Sequence, residues 1–134
     1  MKISTKGRYA LRMLLDLAEQ PQDKFIALKD ISDRQNISKK YLEQIIPLLH
    51  KENILESVRG NNGGYKLKKS ASEVTLFDIL NQTENEIHII QCLEEEACFR
   101  DNECAARQVW LELDELLLNY LKETSLQDII HRKA

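Results

Sequence analysis

The sequence predicts a mainly α-helical chain with one small β-hairpin, arranged as a winged helix-turn-helix domain with a long C-terminal helix. Three observations predict it. Two helical patterns follow closely at "ALKDISDRQN" and "ISKKYLEQIIPLLHKEN", and the second carries Leu42, Ile45, Ile46 and Leu49 at the i, i+3, i+4, i+7 spacing of a core-facing stripe. The hydrophobic period then falls to two on either side of "GNNGG", as a hairpin requires. Finally, "AARQVWLELDELLLNYLKE" is the longest helical run, and it is apolar around more of its circumference than one small domain needs to cover.

Taken in order, the first helix is expected from about Thr5 to Glu19, with Tyr9, Ala10, Met13, Leu14 and Leu17 on one face, and "QPQDK" stops it. The second ends near Asn36, and Ser38 is the expected N-cap of the third. Pro47 lacks an N–H and crowds the carbonyl of Glu43, which predicts a kink or an early end to that helix. "ILESVRG" and "GYKLKK" form the wing, about residues 55–68, where Gly and Asn tolerate the positive φ of a tight turn. A short helix, "VTLFDILNQT", follows behind Thr75, and "HIIQC" leads into a cysteine-containing segment. On the long helix, Val109, Leu113, Leu116 and Tyr120 form one stripe; Trp110, Leu117 and Leu121 widen it, and Leu111 and Leu118 spill beyond it. That surplus of apolar surface predicts a second subunit. "SLQDII" closes the fold as a final turn. The expected division is a DNA-reading domain at 1–80, a sensor loop at 81–104, and a dimerisation helix with its C-terminal turn at 105–134.

Charge divides the chain in two. Residues 1–70 hold 14 Lys/Arg against 8 Asp/Glu, a balance of +6, whereas residues 71–134 hold 5 against 14, a balance of −9. A basic half joined to an acidic half predicts a module for a polyanion attached to a part that stays off it. The opening residues lack an apolar stretch of signal-peptide length, because Arg12 and Asp16 interrupt it, and nothing later approaches a membrane span. A cytoplasmic protein with no membrane partner is expected. No nucleophile–base pair, phosphate loop or carboxylate dyad has a convincing context, so the chain is not read as an enzyme.

If the helix behind Ser38 enters a major groove, Ser38, Lys39, Lys40, Tyr41, Glu43 and Gln44 lie where DNA would be touched. Lys39 and Lys40 suit phosphates, Gln44 can pair with adenine, and Glu43 can accept from the amino group of cytosine. Arg59, followed by Gly60, sits where the first wing strand meets its turn, positioned for a narrow minor groove, with Lys66, Lys68 and Lys69 along the flank. Lys2, Ser4, Thr5, Lys6 and Arg8 precede or open the first helix, whose free N–H groups and partial positive charge favour phosphate.

All three cysteines, Cys92, Cys98 and Cys104, lie in "QCLEEEACFRDNECAAR", with five residues between each and the next. A structural zinc site uses four ligands, often thiols in close pairs, and neither condition is met. Wider spacing suits a larger object such as an iron-sulfur cluster. Glu94, Glu95, Glu96, Asp101 and Glu103 disfavour free thiolates unless bound metal compensates. The competing reading is a thiol switch, two cysteines forming a disulfide on oxidation. His50, His88 and His131 are read as surface or packing residues, His88 being nearest to the cysteines.

"MKISTKGRYALRMLLDLA", "ISKKYLEQ", "SVRGNNGGY" and three late cysteines together resemble the bacterial IscR-type family of winged-helix regulators, which also includes the NsrR and CymR regulators. The resemblance covers essentially the whole chain. It implies a homodimer built on the long C-terminal helix and a pseudo-palindromic DNA operator, with the helix from Ser38 in the major groove and Arg59 in the minor groove. It also implies a transcription regulator, a repressor, with a 2Fe-2S cluster on Cys92, Cys98 and Cys104. The cluster-binding members place a histidine ligand three residues after the last cysteine. Here that residue is Arg107, which leaves the fourth ligand open. Regulation of cysteine metabolism within the family implies an alternative without a cluster, a thiol-based regulator or one gripping a metabolic enzyme.

Overall fold

The computed structural model describes residues 2–90 and 104–132 of the chain. Six helices and one hairpin follow in the order α1 (Thr5–Ala18), α2 (Leu28–Gln35), α3 (Lys39–Lys51), β1 (Leu55–Val58), β2 (Gly64–Leu67), α4 (Leu76–Thr83), α5 (Ala105–Glu123) and α6 (Leu126–Arg132).

Helix α1 is the hub. It starts behind Ser4, whose hydroxyl accepts from the Gly7 N–H at 3.0 Å, and it buries Ala10, Met13, Leu14 and Leu17. Around it pack α2, α3, α4, α6 and β2. Gly7 lies close against the end of α4, since a Cβ there would stand 2.7 Å from the Glu84 carboxylate and 3.2 Å from Leu80. Helix α2 ends on Asn36 at φ 54°, a left-handed position that asparagine tolerates, and the chain turns at once into α3. Ser38 caps α3 by accepting from the Tyr41 N–H at 3.1 Å, and Leu42, Ile45, Ile46 and Leu49 are all buried, as their spacing predicts.

Pro47 does not end α3 early: the helix continues to Lys51. Ile45, Ile46 and Leu49 lie on both sides of it and are buried, and at about 1.5–3 kcal/mol each they outweigh the roughly 3 kcal/mol that an interior proline costs. Pro47 itself faces solvent, where the Glu43 carbonyl it deprives of a partner can bind water.

The wing pairs Leu55 with Leu67, Glu56 with Lys66, Ser57 with Tyr65 and Val58 with Gly64. Its second strand is anchored to the rest of the domain by two bonds of 2.8 Å between Tyr65 and Ile26. Helix α4 opens with the reciprocal box of Thr75 and Asp78.

The closing "SLQDII" is a helix rather than a turn. Ser125 and Asp128 cap it reciprocally at 2.9 and 3.1 Å, and Leu126, fully buried, enters the same core as α1 and α3. Backbone bonds from Leu126 to Val74 and from Leu76 to Thr124, both 2.9 Å, stitch the α5–α6 junction onto the start of α4.

Candidate nucleic-acid interface and sensor segment

The first turns of α3 present Ser38, Lys39, Lys40, Glu43 and Gln44 to solvent, while Tyr41 turns partly inward. Tyr41 meets Tyr9 of α1 edge to face at 5.2 Å, and the Arg12 guanidinium covers the other ring at 5.3 Å. Tyr41 therefore fixes the start of α3 against α1.

Helix α2 is braced to α1 by a group that the sequence did not single out as a site. The buried Asp16 carboxylate accepts from Arg34 at 2.7 and 3.0 Å and from Gln35 at 2.9 Å, and Arg12 donates to both the side chain and the carbonyl of Gln35. The hydrogen bond to Asp16 raises the pKa of Arg34; burial opposes it, and the negative charges of Asp16 and Asp30 add to the rise. This orients α2, as Tyr41 does α3, before any ligand arrives.

The wing stands across from α3. Arg59 is exposed at the end of β1, and Gly60 follows at φ 115°, a value glycine adopts without strain. Between α2, α3 and the wing lies a hollow of about 550 Å³, with Lys29, Lys39 and Arg59 among its lining residues. Lys29 was not anticipated. It pairs on the surface with Asp33 at 3.0 Å, and an isolated Lys four residues before Asp carries no sequence signal for this placement. Lys68 is exposed, whereas the Lys66 ammonium lies over the Phe25 ring at 4.7 Å.

At the N-cap of α1, the Glu84 carboxylate accepts from the Ser4 N–H at 2.6 Å and the Ser4 hydroxyl at 2.8 Å, which places a negative charge beside this helix end. Burial pushes the Glu84 carboxyl up, but the Ser4 N–H, the Thr83 and Ser4 hydroxyls and nearby Lys6 outweigh it and hold the pKa below its usual value. Of the residues named there, Arg8 stays exposed, its guanidinium bonded to Thr5 at 2.9 Å, and Lys6 is half-buried.

Cys104 occupies the N-cap position of α5 with its side chain partly buried; Cys92 and Cys98, and the acidic residues between them, lie outside the described residues. Arg107 follows in the first turn, its N–H bonded to the Cys104 carbonyl at 3.1 Å. Among the described residues no three His, Cys, Asp or Glu side chains converge as a metal site. The approach to the cysteine segment is held by Asp114, only 5% exposed, which bonds the Ile89 N–H at 3.1 Å and His88 Nδ1 at 2.8 Å. His88 is thus tied to α5, and Asp114 lies ten residues beyond Cys104, about 15 Å along the helix.

The far face of α5 stays uncovered: Val109, Trp110, Leu113, Leu116 and Tyr120 are all exposed, as the surplus apolarity predicts. No helix among the described residues is long and apolar enough to cross a membrane.

This architecture is shared with known regulators. The chain matches the family model described as Rrf2, iron-dependent transcriptional regulator, over residues 3–132. It is 34% identical over 133 residues to the HTH-type transcriptional regulator IscR of Photorhabdus laumondii, covering 99% of this chain and 81% of that one. The structure of CymR, described as the global cysteine regulator of B. subtilis, superposes with a TM-score of 0.83 at 32% identity, covering 96% of this chain and 95% of that one. The IscR of T. potens superposes at 0.79 with 29% identity, covering 100% and 89%. The relatives are transcription regulators, not enzymes, and the braced helix pair, the wing and the long terminal helix place this chain in the Rrf2 family, as a DNA-binding regulator of the IscR type.

Proposed function

We propose that this chain is a cytoplasmic, homodimeric repressor that reads a pseudo-palindromic operator and responds to iron-sulfur or oxidative and nitrosative status. The observation that carries the DNA reading is the pairing of an exposed, Ser38-capped α3 face with a wing ending in Arg59, both locked to α1. Lys39, Lys40, Lys6 and Arg8 bind phosphates and set the register. Gln44 and Glu43 read base edges, with Ser38 and Tyr41 at the helix entry. Arg59 enters the minor groove, and Gly60 lets the wing backbone approach. Two such heads must match half-sites about 34 Å apart, or a multiple of that.

For sensing, we assign Cys92, Cys98 and Cys104 as thiolate ligands of a 2Fe-2S cluster. The donor chemistry fits: cysteine sulfur is the usual ligand of cluster iron, and Cys104 sits at the N-cap of α5 with its side chain partly buried, which limits solvent access. When bound, such a cluster supplies an oxidation-sensitive iron centre. Arg107, standing where cluster-binding relatives have a nitrogen ligand, leaves the fourth position to another group. Holding the three thiolates together fixes the segment beside α5, and α5 carries the dimer contact, so the spacing of the reading heads follows the state of the cysteines.

Arg107 and the likeness to CymR favour a second reading, control by thiol oxidation or by a metabolic-enzyme partner bound through the acidic half. The test is an anaerobic preparation, measured for visible absorption and for operator affinity before and after loss of the chromophore, beside Cys98→Ala. A coloured dimer whose affinity changes with the colour supports the cluster. A colourless protein after iron and sulfide reconstitution transfers the role to the second reading. Failure to bind promoter DNA at low ionic strength overturns both.

A further inference from the structure

Two features of the fold stand open among the described residues, and Arg132 connects them. The first is the outer stripe of α5. Val109, Leu113, Leu116 and Tyr120 are spaced four, three and four residues apart, a pattern that reads the same in either direction, and Leu116 is 69% exposed. A second α5 laid antiparallel across it puts Val109 against the partner's Tyr120 and Leu113 against the partner's Leu116, each pair formed twice.

The second feature is an open cavity of about 410 Å³ at the meeting of α1, the end of α2, and α6. Leu15, Ile129 and Ile130 give it an apolar lining, while its polar wall includes the cations Arg12 and Arg132 and the carboxylates Asp16 and Glu19. Arg132 ties this cavity to the stripe, because its guanidinium bonds the Tyr120 hydroxyl at 2.8 Å and lies 5.8 Å from the centre of that ring.

In the antiparallel register Trp110, one residue from Val109, arrives beside the partner's Tyr120. Trp110 is the only tryptophan in the chain, and it is 40% exposed. We propose that the Trp110 indole of each copy inserts into the α1–α6 cavity of the other, an inference that rests on the proposed homodimer. The cavity matches the ring chemically. Its aliphatic lining takes the apolar body of the indole, and Arg132, already against the Tyr120 ring, borders it. The contact also has a mechanical meaning. The cavity wall includes Asp16, Gln35 and Arg12, the groups that brace α2, and Trp110 lies six residues, about 9 Å, from Cys104. Each sensor end would therefore press on the reading head of the opposite copy.

The single tryptophan makes this directly measurable in the full-length protein. Sedimentation velocity sets the oligomeric state while emission and acrylamide quenching report on Trp110. The expected result is a blue-shifted, quench-protected emission in the dimer that turns red and quenchable on dilution to monomer. Ile130→Gln should move the dimer's emission to the red without changing its mass. A dimer whose tryptophan is as quenchable as in the monomer overturns the insertion and leaves the dimer standing. So does an Ile130→Gln dimer with unaltered emission, which would mean burial against α5 alone. A protein that is monomeric at every concentration overturns the insertion and the dimer together.

Discussion

Asp114 of α5 holds His88 Nδ1 at 2.8 Å, so the approach to the cysteine segment is pinned to the helix that bears the exposed stripe. The same carboxylate takes the Ile89 N–H at 3.1 Å, which makes this clamp partly a backbone feature.

Replacing Asp114 by alanine removes both of these bonds. The expected cost is about 1–3 kcal/mol of stability, as for a buried hydrogen-bonding group left without its partner. Hydrogen exchange at the Ile89 amide should accelerate markedly while the α3 amides keep their protection. Slow exchange at Ile89 in the variant would show that the clamp does not hold the segment.

In the wing, Gly64 has φ of 157°, and a Cβ there would stand 2.2 Å from the Ile26 carbonyl oxygen. Gly64→Ala must separate β2 from Ile26 and lose the paired bonds of Tyr65. Chemical denaturation should reveal a loss of roughly 1–3 kcal/mol. Operator affinity should fall as well, because Arg59 is carried on the displaced hairpin.

On α3, Gln44→Ala and Lys40→Ala should separate specificity from general affinity. Gln44→Ala should cost about 1–3 kcal/mol on the best operator and little on random duplex. Lys40→Ala should weaken both alike and reduce the dependence of log affinity on log salt by about one unit. An unchanged salt slope for Lys40→Ala would remove it from the phosphate set.

The Ser4–Glu84 junction predicts an acid sensitivity. Because folding holds the Glu84 carboxyl below its ordinary value of 4.5, its contribution to stability is complete above that pH and is lost as pH falls through the folded-state value. Glu84→Gln should be less stable than wild type near neutrality and converge with it in acid. Parallel stability curves across that range would contradict this.

Much of the fold was legible because its signals are local. Leu42, Ile45, Ile46 and Leu49 announce α3 by spacing, the "GNNGG" turn announces the wing, and the excess apolar residues of α5 announce an open face. What was missed depends on contacts far apart in sequence. Glu84 reaches Ser4 across 80 residues, and nothing near either residue encodes the pairing. Asp16 could have been flagged, since a lone carboxylate between Met13 and Leu17 on a buried face requires a partner, but the identity of Arg34 comes only from the fold. Helix α6 spans seven residues, too few for periodicity to separate it from a turn. Pro47 was given too much weight because its cost was visible and the burial on both sides of it was not.

The burial of Leu126 bears on how the protein unfolds. Its side chain closes the core around α1 and α3, and the backbone bonds from Leu126 to Val74 and from Gln127 to Ala71 fasten it there. The helix-turn-helix half therefore shares its core with α6, so the two halves melt together as one cooperative unit rather than in separate steps.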